Sequence, residues 1–168
     1  MTKDDDFLRA MRGVEKLPQG VDRVTPAKPK RSPEGDRRPV PRFDVRTFGE
    51  QVEGLAPGVD SRRLRILRSS SGSVRVDLHG MSEAPARQAT LAALERARDH
   101  EERTALIIHG RGRHSDGQPV LKSAVVEWLT SAPAGRWVVC FCSAPPSAGG
   151  AGATLVLLRP HRARRSRR

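Results

Sequence analysis

Between Val74 and Leu158 the apolar positions change period from two to between three and four and back again, an order that few folds accommodate. Val74, Val76 and Leu78 alternate with Arg75, Asp77 and His79, as in a strand with one buried face. From Ser82 to His100 the spacing becomes helical, with Ser82 placed as N-cap and Pro85 in the first turn. Ala86, Ala89, Ala93, Leu94 and Ala97 then form a mostly small-residue face that can approach a sheet closely. Thr104 to Ile108 predicts a second strand, followed by a glycine-rich loop from Gly110 to Gly117. A helix from near Pro119 to Leu129 would turn Val120 or Leu121, Val125, Trp128 and Leu129 inward. Trp137 to Phe141 reads as a third strand, Ser143 to Gly152 as a loop, and Ala153 to Leu158 as a fourth strand.

The order β-α-β-α-β-β predicts an α/β fold, a two-layer sandwich of a four-stranded sheet and two helices. Strands separated by helices favour parallel pairing through right-handed crossovers. The last two strands, linked by the loop from Ser143 to Gly152, either pair antiparallel or lie apart in the sheet.

Around this core, which spans 73–158, the composition shifts. Residues 1–42 are expected to be a disordered N-terminal region, because Leu17 to Pro41 is dense in Pro, Lys, Arg and Asp and has few large apolar residues to repay ordering. Phe7, Leu8, Met11 and Val14 within it are spaced for a short amphipathic helix over 4–16. Residues 43–72 read as a partly ordered extension, in which Asp60 and Ser61 are placed to cap a basic helical turn from Arg62 to Arg68. That turn is either a phosphate-contacting helix or a solvated one. Residues 159–168 form an Arg-rich tail.

The formal charge of +12 is unevenly distributed over these segments. Residues 1–72 carry 16 basic and 11 acidic side chains, 73–158 carry 9 and 8, and 159–168 carry 6 and none. The folded core is therefore almost neutral, and the excess lies in flanks that can reach phosphates without packing. A polyanionic partner, nucleic acid above all, is the first expectation. With four Phe, two Trp and no Tyr, an extended base-stacking platform is not expected, so recognition should rest on backbone and shape.

Three segments concentrate the polar chemistry. Asp77 and His79 sit two apart on a strand and share a side, so the carboxylate can orient the imidazole as a general base. His109 ends the next strand and, if the two strands are neighbours, supplies a second imidazole to protonate a leaving oxygen. Gly110, Arg111 and Gly112 follow it, with glycines that let amides approach a phosphate and an arginine that can grip it bidentately. Arg113, His114 and Lys122 extend this basic loop. Gly149, Gly150 and Gly152 with Thr154 form either a second edge against nucleic acid or simply the turn that the last strand requires. Each segment alone would more often be an ordinary strand edge or turn, and it is their coincidence that favours function.

In order and spacing, VDLHGMS at 76–82, IIHGRGRHS at 107–115 and GGAGATLVLL at 149–158 resemble the Smr (small MutS-related) domain family, the resemblance covering roughly residues 60–158. The resemblance implies a domain that binds DNA or RNA and, in many members, nicks or cleaves it, while other members only bind. It leads to the expectation of a nucleic-acid-binding endonuclease of little sequence specificity, with Asp77, His79 and His109 catalytic. Gly110, Arg111, Gly112, Arg113, Lys122, Gly150 and Gly152 would then hold phosphates. The competing expectation is a non-catalytic adaptor on nucleic acid or the ribosome.

On RNA, two histidines suffice for cleavage through the internal 2′-hydroxyl, whereas DNA requires an activated water, which Mg²⁺ or Mn²⁺ would assist. No metal site is expected from the residues themselves: Cys140 and Cys142, two apart on a strand, read as small core residues and not as zinc ligands. No apolar run approaches a membrane span, and the opening residues lack a signal-peptide hydrophobic region. With only two cysteines, a reducing cytoplasmic location without membrane association is expected.

Overall fold

The computed structural model describes residues 38–110 and 120–160. The suggested N-terminal helix over 4–16 and the Arg-rich run from 161 lie outside these residues, as do Arg111, Gly112, Arg113 and His114.

Six strands form one sheet in the order β1-β2-β5-β6-β4-β3. They are β1 (Asp44–Phe48), β2 (Gln51–Leu55), β3 (Val74–Asp77), β4 (Thr104–Ile108), β5 (Val138–Ser143) and β6 (Ala153–Leu158). The helices are α1 (Arg62–Arg68), α2 (Glu83–Asp99) and α3 (Val120–Thr130). Among the described residues only β3 and β4 pair in parallel, with Val76 beside Ile107 and Asp77 beside Ile108. Strand β6 lies between β4 and β5 and pairs antiparallel with both.

The mixed α/β class is as expected, but the sheet has six strands where four were predicted. The two extra strands come from the segment read as a partly ordered extension, as a hairpin whose β2 pairs antiparallel with β5. Its sequence hides this, because β1 is exposed along its whole length and shows no apolar alternation. Gly54 takes part because its missing side chain makes room for Phe141, whose ring would lie 2.3 Å from a β-carbon there.

The two-layer expectation is also corrected. Helices α2 and α3 cover one face, where Leu94, Ala97, Val125 and Trp128 pack with Val74, Leu78, Ile107 and Val138. Helix α1 helps to cover the other, where Leu64 and Leu67 pack with Leu106, Cys140, Cys142 and Leu155. The cause is visible in β5 and β6: VVCFCS and ATLVLL are apolar without alternation, as central strands must be when both faces are covered. Asp60 Oδ1 accepts the Arg62 amide at 2.7 Å at the start of α1, while Ser61 holds the N-cap position without a side-chain capping hydrogen bond.

Candidate active site

Asp77 is the last residue of β3, and the next five residues turn the chain into α2. Leu78 is fully buried and anchors this turn, and its amide donates to the Ile108 carbonyl at 2.7 Å. Gly80 adopts φ +73, a left-handed conformation suited to glycine, and Ser82 then takes the N-cap position of α2 without a side-chain capping hydrogen bond. Between the buried leucine and the glycine, His79 is held out into solvent with 79% of its side chain exposed.

Asp77 Oδ1 lies 2.8 Å from His79 Nδ1 and also accepts the His79 backbone amide at 3.1 Å. The hydrogen bond from the His79 ring, followed by that from the His79 amide, holds the Asp77 carboxyl below the usual carboxylate range. With Nδ1 donating to a carboxylate, Nε2 of His79 is left as the outward-facing lone pair. This is the arrangement of an oriented base.

His109, one residue beyond β4, is 5% exposed and both of its ring nitrogens are engaged. Nδ1 faces the Gly110 carbonyl at 2.9 Å and Nε2 faces the Thr154 hydroxyl at 3.1 Å. A carbonyl only accepts, so Nδ1 carries the hydrogen, and in the neutral ring Nε2 accepts from the Thr154 hydroxyl. Burial is the main cause that keeps the His109 imidazole below the ordinary histidine range; the Gly110 bond opposes it and the Lys122 charge adds to it.

Asp77 and His109 occupy the same end of the sheet but opposite sides of its plane. Asp77 alternates with Val76 and Leu78 of the α2–α3 core, so it points to the α1 face beside Ile108. Thr154 stands directly opposite Ile107 on the α2–α3 face, and His109 bonds to it there. Among the described residues no hydrogen bond links the rings of His79 and His109, each of which is engaged with other partners.

Of the glycines expected to cradle phosphate, the three among the described residues have their amides engaged internally. Gly110 donates to the Gly152 carbonyl at 2.9 Å, Gly150 to Pro145 at 3.0 Å and Gly152 to Gly149 at 3.0 Å. Of the two roles weighed for Gly150 and Gly152, this geometry matches the turn into β6. Lys122, half-buried in the first turn of α3, donates its ammonium to the Glu50 carbonyl in the β1–β2 turn. Arg111, Gly112 and Arg113 cannot be placed relative to these groups, since they lie outside the described residues. Among the described residues no three His, Cys, Asp or Glu side chains cluster as metal ligands.

Sequence reasoning missed Thr154 as the partner of His109, because that contact depends on β6 lying beside β4. It also missed Arg75, which shares the α1 face with Asp77 and whose charge further lowers the Asp77 carboxyl.

Residues 76–159 match the family model described as the Smr domain, 84 of the 168 residues. The chain belongs to the Smr domain family. Among Smr relatives it is 36% identical over 109 residues to the ribosome rescue factor SmrB of Yersinia enterocolitica, covering 62% of this chain and 56% of that one. It is 29% identical over 164 residues to the ribosome rescue factor SmrB of Aeromonas hydrophila, covering 90% of each. The chain thus spans a little over half the length of the Yersinia relative. Its fold is similar to that of YdaL, a stand-alone small MutS-related protein from Escherichia coli. That match has 26% identity and a TM-score of 0.55, and covers 76% of this chain and 92% of YdaL. No helix among the described residues is long and apolar enough to cross a membrane.

Proposed function

We propose that this Smr domain protein acts in the cytoplasm on ribosome-associated nucleic acid, and that its Asp77–His79 pair serves to cut the bound strand. The ribosomal part rests on relatives named ribosome rescue factors. The cutting part rests on one observation, the exposed imidazole whose Nδ1 is held 2.8 Å from a carboxylate at the carboxyl end of a strand.

On RNA the step is simple to write. His79 Nε2 takes the proton of a 2′-hydroxyl, and the freed oxygen attacks the adjacent phosphorus. The bond to the 5′-oxygen breaks, and water at this exposed rim supplies the proton that the leaving oxygen needs. Asp77 keeps the ring oriented and stabilises the imidazolium that forms. His109, neutral and bonded at both nitrogens, acts on this reading as a brace between β4 and β6. The 2′-hydroxyl is an internal nucleophile, so a metal requirement would mark the DNA route, in which water attacks with Mg²⁺ or Mn²⁺.

The second reading is an adaptor that binds without cutting, and the names of the relatives favour its ribosomal partner. The full chain would be sedimented with purified ribosomes and incubated with labelled single-stranded RNA and duplex DNA, with EDTA or with Mg²⁺ and Mn²⁺. Asp77→Ala and His79→Ala would be run beside it. Co-sedimentation with cleavage that both variants lose is expected. Co-sedimentation with no cleavage by the unaltered protein would leave the adaptor, and no co-sedimentation would remove the ribosomal role.

A further inference from the structure

The α1 face carries a groove outside the Asp77–His79 pair. It has a volume of about 670 Å³ and is lined by Arg75 of β3 and by Ile108 of β4, which pairs with Asp77. Its floor is Leu106 and Ile108 of β4; Arg68 at the end of α1 and Arg75 on β3 bound it, and Ser147 and Gly149 come from the β5–β6 connection. Arg75 is exposed, and none of the ion pairs among the described residues takes its guanidinium. Arg68 is held by Glu53 at 2.5 Å and still leaves half of its side chain in solvent.

An apolar floor beneath two guanidinium groups and a serine hydroxyl suits a ligand with one flat apolar part and one anionic part. A nucleotide has both, and an unpaired one can lay its base on aliphatic side chains while its phosphate meets arginine. Asp77 stands one place further along the same face of β3 than Arg75, so a strand lying in the groove would continue directly to His79. The exposed arginines of α1, Arg62, Arg63 and Arg65, extend the positive surface from the other end.

We propose that the groove between Arg75 and Ser147 is a subsite for one unpaired nucleotide of a single-stranded nucleic acid, next to the Asp77–His79 pair. The proposal rests on the reading that this pair faces nucleic acid.

The test uses the full chain and a fluorescein-labelled single-stranded RNA dodecamer, with a DNA dodecamer of the same sequence as a second arm, both read by anisotropy over a range of salt. Arg75→Ala is expected to weaken binding about three- to tenfold and to reduce the salt slope by about 0.7, the value for one phosphate contact on a single strand. Arg75→Lys should recover most of the loss. Ser147→Trp, at an exposed position, should fill the groove and weaken binding at least as much. Both sites are exposed, and thermal melting at the wild-type temperature would verify that the variants fold. Loss in both arms assigns the shared phosphate and base chemistry, and loss confined to the RNA arm adds a contact to the 2′-hydroxyl. Wild-type affinity and salt slope in Arg75→Ala and Ser147→Trp would overturn the proposal. That result, with cleavage still lost in Asp77→Ala, removes the groove alone; weakened binding with cleavage absent or indifferent to Asp77 removes the cutting role alone.

Discussion

His109 Nε2 accepts the hydroxyl of Thr154 at 3.1 Å, tying the end of β4 to the start of β6 on the face opposite Asp77. Replacing Thr154 by Val keeps the shape and leaves a buried ring nitrogen without a partner, at a cost of about 1 to 3 kcal/mol. A lower urea midpoint with unchanged slope is expected in Thr154→Val. A wild-type midpoint would show that the contact contributes nothing.

The same ring sets a pH dependence. Its folded pKa lies below the unfolded value, mainly through burial, so the unfolded chain binds more protons as pH falls. Its contribution to stability is therefore fully present above the unfolded pKa of about 6.5 and is lost as pH falls through the folded pKa. Urea midpoints of the wild type and His109→Gln, compared at pH 7.5 and 5.5, should differ most at the higher pH. An equal difference at both would contradict a buried neutral ring.

Asp77 should titrate below an ordinary aspartate when followed by NMR, and His79→Ala should move it back upward, because the hydrogen bond from the His79 ring is the largest cause of the shift. The sign for stability is the usual one for a depressed carboxyl: present above the unfolded pKa and lost as pH falls through the folded one. Both side chains are exposed, so melting temperature should change little in His79→Ala. An Asp77 titration unaffected by that substitution would remove the orienting role.

Gly54→Ala places a methyl group 2.3 Å from ring carbons of Phe141, which is fully buried and packs against Phe43 with centroids 6.1 Å apart. The ring cannot withdraw without opening the core, and a loss of about 1 to 3 kcal/mol is expected in urea unfolding. Unchanged stability would mean that the hairpin can separate from β5.

Burial pushes the Cys140 thiol up to about 12 and the Cys142 thiol up to about 11. Neither should form thiolate at pH 8, so labelling by a thiol reagent should wait for unfolding and track it along a urea series. Rapid labelling of the native protein would contradict the covered α1 face.

Much of the candidate site was legible because it is local. Val76, Asp77, Leu78, His79 and Gly80 form a strand end and turn whose alternation and left-handed glycine state which side chains are buried and which are held out. Arg75 and Arg68 were not legible as a pair, since they come to line one groove only after α1 folds back on the sheet.

The α2 and α3 helices, the strands between them and the exposed Asp77–His79 pair follow from the chain itself, because periodicity reports one-sided burial over a few neighbouring residues. Tertiary structure alone decided that β6 enters between β4 and β5, that β1 and β2 extend the sheet, and that His109 faces away from Asp77. Those outcomes depend on which distant strands pair. A strand carries the record of which face is buried, and no record of the neighbour that buries it.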